Sequence, residues 1–406
     1  MKLRSLLGLV LGTLCVTSVS SCGGTSESHK IGVMVQSTTS EEYTLQKDYL
    51  ENYIAPKFNC EFVFSETCND ASAAQAFVEQ ASAAGCDGII SYYSNFQAPI
   101  TNTAKKLGLK VVTNGNNFAE GCDTNEATVA MVSTPVSNTV SNYTKVIEDV
   151  ILKDGKVHNF IICSAGAANK MSEQHYLTTK AVFETLQNKF GITYKDVNDL
   201  AELAKSNTQK EIEAVKDGET LFKVTLYPGF PQGASYGSTF GNILTNSNGL
   251  YDSVLSVGTA YSPLLNPIKQ YEQATGKDVK LITLAPISEA AVNAFNNGQI
   301  DGAIINPNTP LLGTLFGLLK NSLDGYQDKI WKDGKARIYP TYKWAVSNVA
   351  DAAKLCSIDN SAETWAFTDE VINGMLISEN KNLTSDAIYK YLEDQTAEAV
   401  IGRLTK

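Results

Sequence analysis

From residue 31 onward the chain alternates short, continuous apolar runs with longer stretches whose apolar positions recur at every third or fourth residue. IGVMV (31–35), CEFVFSE (60–66), CDGIISYYS (86–94) and LKVVTNG (109–115) form the first set of runs, and each reads as a strand. Between them Glu41–Ala55, Ala71–Ala84 and Pro99–Leu107 carry helical spacing, with Gly85 and Gly108 where two of the helices stop. A strand that is apolar on successive residues is buried on both faces, and such strands alternating with helices build a parallel sheet covered on each side. The rhythm then restarts. TVAMVST (128–134), HNFIICSAG (158–166), LFKVTLYPG (221–229), DSVLSVGTA (252–260), KLITLAP (280–286) and DGAIINPN (301–308) alternate with helical stretches at 138–151, 172–190, 236–245, 263–275, 288–296 and 311–323. Residues 192–219 fit less well: they are highly charged, and the expectation is a peripheral pair of helices or an insertion. Beyond residue 355, TWAFTDEVINGMLIS and SDAIYKYLEDQTAEAVIGRL read as amphipathic helices packed against one lobe.

Two successive βαβ sets of similar size predict an α/β protein of two lobes with parallel sheets. In open parallel sheets ligands bind outside the carboxyl ends of the strands, so two lobes meeting across those ends would enclose a ligand between them.

Composition narrows the function classes. The chain has 406 residues, 33 Lys+Arg against 43 Asp+Glu and a formal charge of −10, and its only arginines are Arg4, Arg337 and Arg403. Such a chain is a poor match to a phosphate backbone, and no nucleic-acid partner is expected. At 19% charged residues, much of the polar surface must come from amides and hydroxyls.

The N-terminus changes the picture of location. Lys2 and Arg4 precede an apolar stretch, Leu6–Val16, too short to span a bilayer, which is the form of a secretion signal. Val19-Ser20-Ser21-Cys22 resembles the lipobox of bacterial lipoproteins, in which the cysteine is lipidated after cleavage. The expectation is a signal peptide over 1–21, lipidation at Cys22, a polar tether over 22–30, and a body held on the extracytoplasmic side of the cell membrane. Six cysteines remain in the body; Cys60 with Cys68 is a plausible disulfide, while Cys86 and Cys163 in apolar strands suit buried thiols.

Catalytic signatures are sparse: the chain contains no HExxH, GxGxxG or GxxxxGK[ST], and Gly233-Ala234-Ser235-Tyr236-Gly237 is a lone GxSxG match. The three histidines, His29, His158 and His175, are scattered, His175 on a helix expected to be exposed. No enzyme activity, cofactor or metal is expected. The ends of the predicted strands instead carry neutral hydrogen-bonding groups and aromatic rings, suited to the hydroxyls and C–H faces of a sugar or to a planar base. Ser40, Tyr43, Tyr92, Asn114, Asn116, Thr134, Thr259, Tyr261 and Asn306, with Phe230 and Asn308 behind them, are the candidate ligand-binding residues.

IGVMVQSTTSEEY, the Asp70–Gln75–Val78 pattern after the second strand and Gly85-Cys86-Asp87-Gly88-Ile89-Ile90 resemble the amino-terminal lobe of type I periplasmic-binding-protein-like solute receptors, the ribose and galactose binder group. In the second half ISEAAVNAFNNGQIDGAIINPNTPLLGTLFGLLKN resembles the same family, with Gly298, Asn306 and Gly313 on its marked positions, and 335–353 resembles the last pass between lobes. The resemblance covers roughly residues 31–350. It implies two Rossmann-like, three-layer lobes joined by three crossover hinge strands, divided as 31–124 plus 303–342 for lobe 1 and 125–302 plus 343–406, with a C-terminal helical extension, for lobe 2; such lobes close on a small molecule, which is delivered to an ABC permease. Where sugar binders commonly carry an Asp-Arg pair, this chain has Asn114-Gly115-Asn116, which points to a neutral ligand. A sugar or sugar derivative comes first. A nucleoside or other neutral metabolite, a chemosensory or signalling receptor, and an exported hydrolase or adhesin are the alternatives.

Overall fold

The computed structural model describes residues 28–404 apart from 36, 37, 39, 40, 69, 93, 94, 165–172, 230, 232, 259, 287, 360, 362 and 363. In chain order the first lobe opens with β1 (His29–Met34), α1 (Glu41–Asp48), a π-helical turn (Tyr49–Ile54), α2 (Ala55–Phe58) and β2 (Cys60–Phe64). It continues with α3 (Ala71–Ala83), β3 (Gly88–Ser91), α4 (Gln97–Leu107), β4 (Lys110–Asn114) and β5 (Thr128–Ser133). The second lobe follows with α5 (Val136–Val150), β6 (Phe160–Cys163), α6 (Glu173–Phe190), β7 (Thr193–Tyr194), α7 (Leu200–Ala204), β8 (Lys210–Lys216) and β9 (Glu219–Tyr227). Then come α8 (Tyr236–Asn246), β10 (Ser253–Ser256), α9 (Tyr261–Thr275), β11 (Lys280–Pro286), α10 (Glu289–Asn296) and β12 (Gly302–Asn306). The rest is α11 (Asn308–Asn321), α12 (Gln327–Ile330), β13 (Arg337–Pro340), β14 (Trp344–Val346), α13 (Val349–Ile358), α14 (Asp369–Asn373), α15 (Ser385–Glu393) and α16 (Ala397–Leu404).

The first sheet has the order β13-β5-β4-β3-β1-β2, parallel throughout. Successive residues of its strands serve opposite cores. Ile89 and Val111 face α3 and α4, beside Phe77, Val78 and Ile100, while Ile90 and Val112 face α11, beside Leu315 and Leu319. This is why the strands read as unbroken apolar runs. The helices start where the sequence supplies caps: Asp70 accepts the N–H of Ala73 at the head of α3, and Ser288 accepts that of Ala291 at the head of α10.

The second sheet, β14-β12-β11-β10-β6-β9-β8-β7, has a parallel centre from β12 to β9 and antiparallel margins. Residues 192–219, expected to be helical, form instead the margin strands β7 and β8 with only the short α7 between them. Ile212 and Ala214 alternate with exposed or half-exposed Glu211 and Glu213, a period of two. Asp217 and Gly218 both take positive φ, 52° and 87°, turning the chain directly from β8 into β9.

The lobe boundaries also differ from those expected. Strand β5 pairs with β4, so the first lobe runs to Ser133; β12 pairs with β11, so the second runs to Asn306. The cysteines Cys60, Cys68, Cys86, Cys122, Cys163 and Cys356 are all free and buried, and Cys60 and Cys68 are not bridged. No helix of the described residues is long and apolar enough to cross a membrane, and they contain no His/Cys/Asp/Glu group able to hold a metal ion.

The C-terminal residues do not settle on one lobe. Leu355 and Cys356 of α13 and Val400 of α16 join the core around α8, α9 and α10. Val371 and Ile372 of α14 and Ile388 and Leu392 of α15 join the core around α11. The outer face of α11 is thereby covered, and all fourteen residues of that helix are buried. Gly313 and Gly317 permit the approach: a Cβ at Gly317 would lie 2.5 Å from the Met375 sulfur, and one at Gly313 would lie 2.8 Å from both the Phe367 ring and the Tyr49 hydroxyl.

Candidate functional site

Strands that run parallel end on the same edge of a sheet. Strand β5 ends at Ser133, and the chain passes through Thr134 and Pro135 into α5, which packs on β12 and β14 of the second lobe. Strand β12 ends at Asn306, and the chain passes through Pro307 into α11, which packs on β3, β4 and β5 of the first lobe. Strand β13 ends at Pro340 and leads through 341–343 into β14. The carboxyl edges of both sheets therefore meet at the segments that join the lobes, and this boundary is the candidate site.

The structure brings several predicted residues to it. Asn114 is the last residue of β4, paired with Val132 of β5. Asn116 accepts a hydrogen bond from the Ser133 hydroxyl at 3.2 Å, tying the loop after β4 to the end of β5. Gln97 braces the same loop, its amide donating to the Asn117 carbonyl and accepting from the Ala119 N–H, both at 2.9 Å. Thr134 stands in the first crossing, and Asn306 ends β12 in register with Pro286. Asn308 begins α11; its amide nitrogen is buried and meets no acceptor among the described residues.

Tyr92 follows β3, its N–H bonded to the Met34 carbonyl, and is half-buried against the first core. Tyr43 lies on α1 with its ring edge-on to Phe64, 6.0 Å between centroids. Tyr261 opens α9 but belongs to the second core, at 9% exposure. Ser40, Phe230, Thr259 and Cys22 lie outside the described residues, as do the signal segment and most of the tether.

Sequence reasoning missed three polar groups here. Lys343 sits in the third crossing, its N–H donating to the Asn138 side chain at 3.0 Å and its carbonyl accepting from Asn142 at 2.8 Å. Burial brings its ammonium down to about 8. His175, expected to be exposed, is half-buried at the start of α6; burial first and Lys343 second hold its pKa down, against a hydrogen bond to the Val257 backbone. Asp359, after α13, is fully buried and accepts the N–H groups of Asn308 at 2.9 Å, Thr309 at 3.1 Å and Ala366 at 3.2 Å, together with the Thr309 hydroxyl. No local pattern marks these residues, because each becomes informative only when distant crossings are placed side by side.

No family model and no curated protein matches the chain. Solved structures do. An ABC transporter solute binding protein from Bacillus halodurans C-125 with bound myo-inositol aligns over 82% of this chain and 99% of its own, at 16% identity and a TM-score of 0.52. A periplasmic solute binding protein from Actinobacillus succinogenes 130z with bound D-allose gives 80% and 99%, 11% identity and 0.57. An arabinose binding protein from Geobacillus stearothermophilus gives 81% and 99%, 14% identity and 0.56. The chain has the type I periplasmic binding protein fold. Likeness at this identity concerns architecture, and within it the chain departs from the three crossovers that the sequence resemblance implies: the elements of the described residues alternate between the lobes in five passes.

Proposed function

We propose that this protein is an extracytoplasmic, lipid-anchored solute-binding protein that captures a small polar ligand between its lobes and delivers it to an ABC permease. One observation carries the reading: the carboxyl edges of the parallel strands of both sheets converge on one set of interlobe crossings, and those edges carry amides and hydroxyls. Asn114, Asn116, Thr134, Asn306 and Asn308 are the described polar candidates, with Tyr92 as the apolar face. The buried Asn308 amide, with no acceptor among the described residues, suits a ligand oxygen. A neutral sugar or sugar derivative is the first choice, consistent with the myo-inositol and D-allose in the similar structures. Lys343 in the third crossing favours a second reading, a sugar bearing an acid group. Function in either case is a population shift, since a ligand touching both lobes favours the form in which they are closest. Anchoring through Cys22 would hold the protein beside its permease.

A thermal-shift screen of neutral sugars, sugar acids, nucleosides and amino acids tests this. One class is expected to raise the melting temperature, and Asn306→Ala is expected to weaken that ligand about tenfold, the loss of one hydrogen bond of about 1.4 kcal/mol, while leaving the unliganded melting temperature close to the parent's. Silence across all classes would overturn the reading. Failure of Asn306→Ala to fold would place Asn306 in the core instead.

A further inference from the structure

Both additional interlobe passes belong to the C-terminal residues. The chain leaves the second lobe after α13, returns to the first in α14 and α15, and leaves it again to place α16 back on α13. Each arm is anchored at both ends. On the first-lobe side the Tyr49 hydroxyl donates to the Phe367 carbonyl at 2.7 Å, the Tyr53 hydroxyl donates to Asp369 at 2.7 Å, and Lys57 pairs with Asp369 at 2.9 Å. On the second-lobe side α13 packs on α10 and β14. Asp359 joins two crossings directly, since Asn308 and Thr309 belong to the pass from β12 to α11 and Ala366 to the pass from α13 to α14. The last arm is short. Only residues 394–396 separate α15 from α16, and three extended residues reach about 10 Å.

Hinge opening rotates one lobe about its connections, and a connection fixed at both ends forbids any rotation that would stretch it. We propose that residues 349–404 are a strap that limits how far the two lobes separate, with Asp359 as the pin that makes the second and fourth crossings move together. The strap depends on the two-lobe architecture and not on which ligand is bound.

The test is an interlobe distance distribution by double electron–electron resonance on the full chain without ligand. Spin labels go at Leu107→Cys on α4 and Leu221→Cys on β9, both exposed, while the cysteines of the two lobes are buried. A Gly/Ser insertion between Gln395 and Thr396 lengthens the last arm, and Asp359→Asn weakens the pin. Both changes are expected to move the distribution to longer distances and broaden it. The insertion lies in a surface connection and keeps the test decisive if Asp359→Asn fails to fold. A folded insertion variant with the parent's distribution would overturn the strap. So would a variant that loses melting temperature with no change in distance, since the segment would then stabilise the lobes without limiting their separation.

Discussion

Asp359 sets two physical effects against each other, and its replacement by Asn separates them. Complete burial opposes the charged form, while four donors favour it: three backbone N–H groups and the Thr309 hydroxyl. Burial wins, and the carboxyl is pushed up from 3.8 to about 6. That rise corresponds to about 3 kcal/mol between the two protonation states. The folded protein therefore binds a proton that the unfolded chain has already released between about pH 4 and pH 6. Its contribution to stability is fully present below the unfolded value and is lost as pH rises through the folded one. Asp359→Asn keeps an acceptor oxygen and has nothing to titrate. Urea melts of parent and variant from pH 4 to pH 8 should show the parent losing about 3 kcal/mol relative to Asp359→Asn as pH rises. A flat difference would mean that burial and hydrogen bonding cancel. A parent that gains relative stability with rising pH would refute the reasoning outright, because the donors would then hold the carboxyl below its ordinary value. Asp359→Ala, which orphans all four donors at about 1 kcal/mol or more each, should be the less stable variant at every pH.

The two glycines of α11 give a matched pair. Ala in a helix gains about 1 kcal/mol over Gly, but a Cβ at Gly313 meets an aromatic ring and a hydroxyl already fixed by its bond to Phe367. Gly313→Ala should therefore lose about 1–2 kcal/mol net, whereas Gly317→Ala meets the flexible Met375 side chain and should stay within about 1 kcal/mol of the parent, both read by chemical denaturation. At the far end of the second sheet His158 lies between Asp252 at 3.3 Å and Asp154 at 3.2 Å. The Asp252 hydrogen bond, with Asp154 adding to it, raises its pKa against burial. Its contribution to stability is present below the ordinary histidine value and lost as pH rises through the raised one, so His158→Gln should flatten the stability profile on the alkaline side of pH 6.5; an unchanged profile would assign the effect elsewhere.

Much of the architecture was legible because it is periodic. Ile89-Ile90 and Val111-Val112 announce strands with both faces covered, and Asp70 and Ser288 announce helix starts through their own backbone neighbours. The candidate site was legible as a class of residues at strand ends, since parallel order fixes which ends share an edge. Where local pattern competed with composition, composition misled: the charge of 192–219 suggested helices, while the alternation around Ile212 and the Asp217-Gly218 turn specify a hairpin.

The low charge content and the scarcity of arginine are properties of the sequence alone, as are the strand-and-helix rhythm and the amides at the strand ends. Only the tertiary structure places Lys343 and His175 at the interlobe boundary, keeps Cys60 and Cys68 apart as buried thiols, and sends the last fifty residues back and forth across both lobes. The physical reason is one of range. Periodicity and capping act between neighbours in the chain and leave a local trace, whereas the cover of α11 and the partners of Asp359 are chosen by whichever apolar face and buried donors the folded lobes leave uncovered.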